Sequence, residues 1–177
     1  MIKYLLLIIS FNCFAQEEFN VSYLRINQNL FDTIQFPMDA VEVSYSYVTD
    51  YGIGARVGLG RSTETANSLY VEGLRYSNKI NAIYTGEVFY RYELDNKFSF
   101  DLGVGKTDYK STWHVNGVKP EWSSGTDSDW SYHSRLNWRI EDNINLTFGY
   151  SDIYRKDKPN KGREETRYFK AGFSYLF

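Results

Sequence analysis

Two histidines, the serines and acids near them and two glycine-rich runs are the residues of this chain with obvious chemistry to offer. His133 stands next to Ser134, and a histidine with a serine can attack an acyl ester once a carboxylate orients the imidazole. The pair lies in a segment whose apolar residues alternate, so His133 turns to the polar face and Ser134 to the apolar one, and the two diverge. His114, Asp127 and Asp129 are metal-ligand types, but they fall in a polar connection and read as solvated side chains, so no metal site is expected. Gly52-Ile53-Gly54-Ala55-Arg56-Val57-Gly58 has glycines like a dinucleotide fingerprint, at the wrong spacing and with no helix pattern behind it. Inward glycines in a narrow barrel instead make room for long Arg and Glu side chains. Gly105-Lys106-Thr107 ends like a phosphate-binding loop, yet Phe100 stands where that loop requires Gly. No catalytic residue and no cofactor are expected.

One constellation survives this sorting. Glu42, Arg56, Glu87, Arg91, Asp101, Arg135, Arg139 and Lys170 all fall on the polar face of alternating segments. Gathered inside a barrel they would form either a selectivity lining for small solutes or a salt-bridged plug. An eight-stranded barrel has an interior just wide enough for side chains, which favours the plug. A charge left there without a partner costs several kcal/mol, so the set is expected to pair.

The elements that must position these charges are strands. Period-two alternation puts like residues on one face, and it runs through Val41 to Tyr47, Ile53 to Leu59, Ile80 to Tyr90, Phe98 to Val104, Trp130 to Ile140, Ile144 to Tyr150 and Phe169 to Phe177. A weaker segment near Phe19 to Gln28 makes eight; its phase slips between Tyr23 and Leu24, which reads as a bulge. Tight turns at Thr49-Asp50-Tyr51-Gly52, Leu94-Asp95-Asn96-Lys97 and Glu141-Asp142-Asn143 carry the Asp, Asn and Gly that turn backbones favour. The other connections, roughly 29–39, 61–79, 110–127 and 155–166, are long and polar. Short turns at one end and long loops at the other predict an all-β, antiparallel up-and-down barrel of eight strands. A ten-stranded barrel is the alternative, because Leu69 to Tyr76 could belong to an extra hairpin.

Such a barrel could be a soluble cup or a membrane protein. The mixed-sign polar face would form ion pairs in a membrane barrel's lumen, whereas a soluble cup would have to crowd all the apolar and aromatic side chains inside. Aromatics also gather beside the short turns: Tyr45, Tyr47 and Tyr51, then Tyr90, Tyr92 and Phe98, then Trp138, and finally Tyr175 and Phe177. That is the pattern of an interfacial girdle. The membrane reading is therefore the expectation.

Composition agrees. With 4 Trp, 16 Tyr and 12 Phe in 177 residues the chain is not disordered. Met1 to Ala15, with Lys3 ahead of an apolar run and Cys13-Phe14-Ala15 at its end, reads as a signal peptide. Its removal would leave a domain of residues 16–177, and no apolar run of 18 residues follows Ala15 to form a helical anchor. The single Cys, Cys13, would leave with it, so no disulfide or thiol chemistry is expected. The formal charge of −2 for the whole chain becomes −3 without Lys3, which gives a nucleic-acid partner no electrostatic support.

With its signal peptide, eight alternating segments and closing stretch Arg167-Tyr168-Phe169-Lys170-Ala171-Gly172-Phe173-Ser174-Tyr175-Leu176-Phe177, the chain resembles the small outer-membrane barrels that include the OmpA transmembrane domain and OmpX. The resemblance implies residence in the outer membrane of a Gram-negative-type bacterium. It also implies assembly by the barrel assembly machinery, with Phe173, Tyr175 and Phe177 as the recognition signal, and contact with outer-membrane lipid and lipopolysaccharide. The family holds structural proteins, adhesins, weak channels and lipid-modifying enzymes, so it leaves activity open. The expectation is a structural or surface-interactive protein that is not an enzyme, with a narrow channel and a lipid-modifying enzyme as alternatives. Recognition would fall to the long loops. One holds Arg155, Lys156, Lys158, Lys161 and Arg163, cations suited to phosphate; another holds the hairpin signal Asn116-Gly117 between Trp113 and Trp122.

Overall fold

A computed structural model describes residues 15–30, 34–71, 74–115, 118–154 and 165–177. The strands are β1 (Ala15–Leu30), β2 (Ile34–Thr49), β3 (Ile53–Ser62), β4 (Ala66–Val71), β5 (Leu74–Glu93), β6 (Phe98–Val115), β7 (Val118–Glu141), β8 (Ile144–Tyr154) and β9 (Glu165–Leu176). Every neighbouring pair is antiparallel. The sheet runs β3-β2-β1-β9-β8-β7-β6-β5 and closes where β5 returns to β3, with Val57 opposite Gly86. Eight strands thus make the barrel.

The ninth, β4, is the hairpin suggested by Leu69 to Tyr76: Leu69 faces Tyr76 and Val71 faces Leu74. It adds no barrel strand. β4 pairs with the part of β5 that runs beyond the end of β3, after an interruption at residues 63–65 where Thr63 N donates to Asp39 O at 2.8 Å. The barrel therefore stays at eight strands.

At the short-turn end, Gly52 adopts φ +78°, the left-handed conformation that glycine reaches without strain, and its N–H donates to Thr49 O at 2.9 Å. Asp95 Oδ1 accepts from the backbone N–H of both Lys97 and Phe98 at 2.7 Å, the local capping that favours Asp in turns. At the other end, three of the expected long loops, at 29–39, 61–79 and 110–127, are largely strand among the described residues. β6 and β7 stay paired out to Val115 and Val118, and β1 and β2 out to Leu30 and Ile34. Extended pairing satisfies backbone groups that an irregular loop would leave to water. Residues 1–14, 116–117 and 155–164, and with them nearly all of the expected signal peptide, lie outside the described residues.

Exposure alternates residue by residue, and its sense is the reverse of a soluble barrel. Val57 is 61% exposed, Leu102 58% and Phe173 59%, while Glu18 and Asp101 inside are 0% and 2%. Water would not tolerate so continuous an apolar outer wall; hydrocarbon would. The first strand keeps this alternation without a bulge, its register running unbroken from Ala15–Thr49 to Leu30–Ile34. Its phase slip at Leu24 has another cause. Leu24 and Ile26 point inward like Glu18, Asn20 and Ser22, but into a part of the lumen that is apolar.

Candidate functional site

The interior is built in two layers. Toward the short turns, β1 contributes Glu18, β2 Glu42, β3 Arg56, β5 Glu87 and Arg91, β6 Asp101, β7 Arg135 and β9 Lys170. Asp101 is the hub. Its carboxylate receives Arg56 Nη2 at 2.8 Å, Arg91 Nε at 2.8 Å and Arg135 Nε at 3.0 Å, with Asn137 Nδ2 at 3.1 Å. Glu18 takes Arg135 Nη2 at 2.8 Å on one oxygen and Arg91 Nη1 on the other. Arg56 also pairs with Glu87, and Lys170 Nζ donates to Glu42 Oε1 at 2.7 Å. The Phe89 ring packs near two guanidinium groups, its centre 4.4 Å from Arg56 Cζ and 5.8 Å from Arg91 Cζ. Four carboxylates face four cations, so the layer is neutral when His133 is uncharged.

The inward glycines serve this packing. A Cβ on Gly54 would strike the Phe89 ring, and one on Gly58 would come within 3.3 Å of Glu42 Cδ and also strike Thr85. Beside these groups a cavity of about 20 Å³ is lined by Asn20, Glu42, Arg56, Glu87, His133 and Lys170 among others. It has room for about one water molecule. Glu42 Oε2 and Arg56 Nε are buried there with no hydrogen-bond partner among the described residues.

Toward the long-strand end the lining becomes apolar. Leu24, Ile26, Met38, Ala40, Ile80, Ile83, Tyr109, Ile153 and Tyr168 form one buried cluster across the lumen. Between the layers, Thr107 Oγ1 donates to Ser131 Oγ at 3.0 Å, and Ser131 Oγ lies 2.7 Å from His133 Nε2. His133 Nδ1 is 2.7 Å from Ser151 Oγ and 3.2 Å from Glu87 Oε2.

A hydroxyl, an imidazole and a carboxylate in that order have the connectivity of a nucleophilic triad. The surroundings do not suit one. Ser131 is fully buried, and the adjacent cavity holds nothing as large as an acyl ester. Ser134 is on the opposite face of β7 from His133, as alternation requires. No group of three or more His, Cys, Asp or Glu able to hold a metal occurs among the described residues. The side chains of Asp127 and Asp129 are not among those described.

Of the eight charges picked out in sequence, seven lie in this cluster and Arg139 does not. Arg139 shares the face of Arg135, but it sits where β7 meets the short turn, beside a register shift, and is exposed. Sequence reasoning missed Glu18, Asn137 and the part played by His133. Glu18-Asn20-Ser22 against Phe19-Val21-Tyr23 was the available signal, masked by the neighbouring Glu17 and by the apolar turn at Leu24. Phe173, Tyr175 and Phe177 form an outward aromatic row at the short-turn end, all exposed. Trp113 and Trp122 are backbone partners in the register of β6 and β7, and their side chains lie outside those described. Arg155, Lys156, Lys158, Lys161 and Arg163 lie outside the described residues.

No protein-family model matches the chain, and no curated protein matches it in sequence. Solved structures match it by shape. The attachment invasion locus protein Ail of Yersinia pestis, crystallised with the heparin analogue sucrose octasulfate, aligns over 93% of this chain and 99% of its own at TM-score 0.63 and 11% identity. Neisserial surface protein A aligns over 91% and 97% at TM-score 0.65 and 10% identity. A major outer membrane protein from Thermus thermophilus aligns over 91% and 99% at TM-score 0.58 and 12% identity. With its eight antiparallel strands, charged layer within the lumen and apolar outer wall, this chain has the fold of the small outer-membrane β-barrels, the architecture to which the OmpA- and OmpX-like proteins belong.

Proposed function

We propose that this chain is an integral outer-membrane protein with a structural or surface-interactive role, carrying no enzymatic site in its barrel and no open pore through it. The observation that carries this reading is the two-layer interior: a neutral ion-pair network filling one half of the lumen and an apolar cluster filling the other. Such a lumen is a packed core. Recognition then belongs to the end where strands run past the apolar band, with Trp113 and Trp122 on the β6–β7 arm and the basic run Arg155 to Arg163 as candidate contacts. The Ail complex with a sulfated sugar supports a polyanion as the class of ligand for that basic run. Residues 1–15 are read as the signal removed on export, and Phe173, Tyr175 and Phe177 as the row presented to the assembly machinery.

The test is planar-bilayer conductance of protein refolded into lipid, with heat-modifiable gel migration confirming the folded barrel. Electrical silence of the folded barrel is expected. Steady, charge-selective conductance that changes in Arg135→Ala would replace this reading with a narrow channel.

A further inference from the structure

β1 opens at Ala15, opposite Thr49, and Gln16 stands opposite Val48 at the short-turn end of the barrel. Removal of residues 1–15 would therefore cut at the edge of the sheet and leave no tail ahead of it. Gln16 would carry the new α-amine. Its side chain shares the inward face of Glu18 and Asn20 but is only half-buried, and no hydrogen bond among the described residues holds its amide. Gln16 lines a cavity of about 380 Å³ at this mouth together with Val48, Asp50, Gly52, Arg91 and Glu93. Asp50 and Glu93 are both exposed.

A glutamine at a free N-terminus holds a nucleophile and an electrophile within one residue, placed to close a five-membered ring. Resting on the signal-peptide reading above, we infer that Gln16 is a modification site, converted after export to the pyroglutamyl lactam. The α-amine, having shed its ammonium proton to a carboxylate or to water, attacks its own Cδ. The N–Cδ bond forms, the Cδ–Nε2 bond breaks, and one amine proton departs with Nε2 as ammonia. Nothing is oxidised or reduced. The open cavity gives the side chain room to fold back onto its own backbone.

The fold supplies a reason for such a cap. Glu18 lies two residues in from Gln16, fully buried, and holds both Arg91 and Arg135. Exopeptidase trimming from a free amine would soon reach that carboxylate and leave two buried guanidinium groups short of a partner. A lactam offers such an enzyme no amine to grip.

The experiment purifies the protein from the outer membrane of the bacterium that makes it and reads the N-terminal peptide by tandem mass spectrometry. The peptide is expected to begin at Gln16 and to be lighter than its sequence by one ammonia. A synthetic peptide of residues 16–23 carried through the same workup sets the level of cyclisation that handling causes. A lactam fraction in the protein no greater than the peptide's would overturn the site. A different first residue, or a retained leader, would overturn the signal-peptide reading beneath it. Gln16→Ala should give the same heat-modifiable barrel with a free amine, and should lose residues to an aminopeptidase that leaves the parent intact. Equal trimming or equal resistance of the two would overturn the protective role.

Discussion

Arg135 Nη2 lies 2.8 Å from Glu18 Oε2, joining β7 to β1 across the lumen between residues 117 positions apart in the chain. The same guanidinium reaches Asp101 on the adjacent strand at 2.9 Å. Removing it would leave two buried carboxylates short of a partner.

Arg135→Ala is therefore expected to destabilise the barrel by about 3–5 kcal/mol, the cost of orphaning a buried charge. Arg139→Ala, four residues on along the same face but exposed, should stay within about 0.5 kcal/mol of the parent. Glu64→Ala, in the exposed interruption between β3 and β4, serves as a second neutral control. Urea unfolding in lipid vesicles measures all three. Equal losses would mean that the network does not hold the lumen together.

Met38 and Ile80 are 0% and 1% exposed in the apolar layer. If that layer is what bars ions, Met38→Ser with Ile80→Ser should admit water and raise conductance above the parent's baseline. Glu87→Gln, which leaves the apolar layer intact, should not. A silent serine double variant beside a conducting Glu87→Gln would assign the seal to the charges.

Leu102 projects from the middle of the outer wall. An arginine there should cost about 2–4 kcal/mol in lipid, the penalty for a cation near the bilayer midplane. Refolding yield and urea midpoint in vesicles read this directly. A cost near zero would mean that this face does not meet hydrocarbon.

Gly105 and Gly86 lie on the adjacent strands β6 and β5, where Lys106 stands opposite Gly86, and their substitutions should differ sharply. A Cβ on Gly105 would come within 2.7 Å of Glu87 Cα and collide with the Gly86 carbonyl, whereas one on Gly86 projects into open space. Gly105→Val should abolish the heat-modifiable band and Gly86→Val should keep it.

Phe177→Ala should lower the amount of protein reaching the outer membrane in cells while leaving refolding of purified protein unchanged. Equal loss in both settings would make Phe177 a packing residue of the wall and not an assembly signal.

Strand positions were legible because in–out alternation is a strictly local property: Ile53 to Leu59 shows it on its face, and the structure buries and exposes those residues in turn. The first strand was less legible because Leu24 and Ile26 are apolar and inward, so polarity stopped reporting direction there. Arg139 was misplaced because alternation tells which face a side chain shares and nothing of its height along the barrel. The pairing of Glu18 with Arg91 and Arg135 depends on three strands meeting in one closed sheet, and no local pattern carries that.

The stacking of a charged layer beneath a greasy one bears on how the barrel acquires its shear. Sliding β1 by one residue would turn every side chain to the wrong face. Sliding it by two keeps all the faces correct, so alternation offers no protection against that error. The layers do: a two-residue slip toward the short turns would draw Glu18 away from Arg91 and Arg135 and set Leu24 in the place of Ser22 opposite Glu42, stranding buried charge. The interior thus works as a vernier that accepts one stagger between strands and rejects its nearest neighbours.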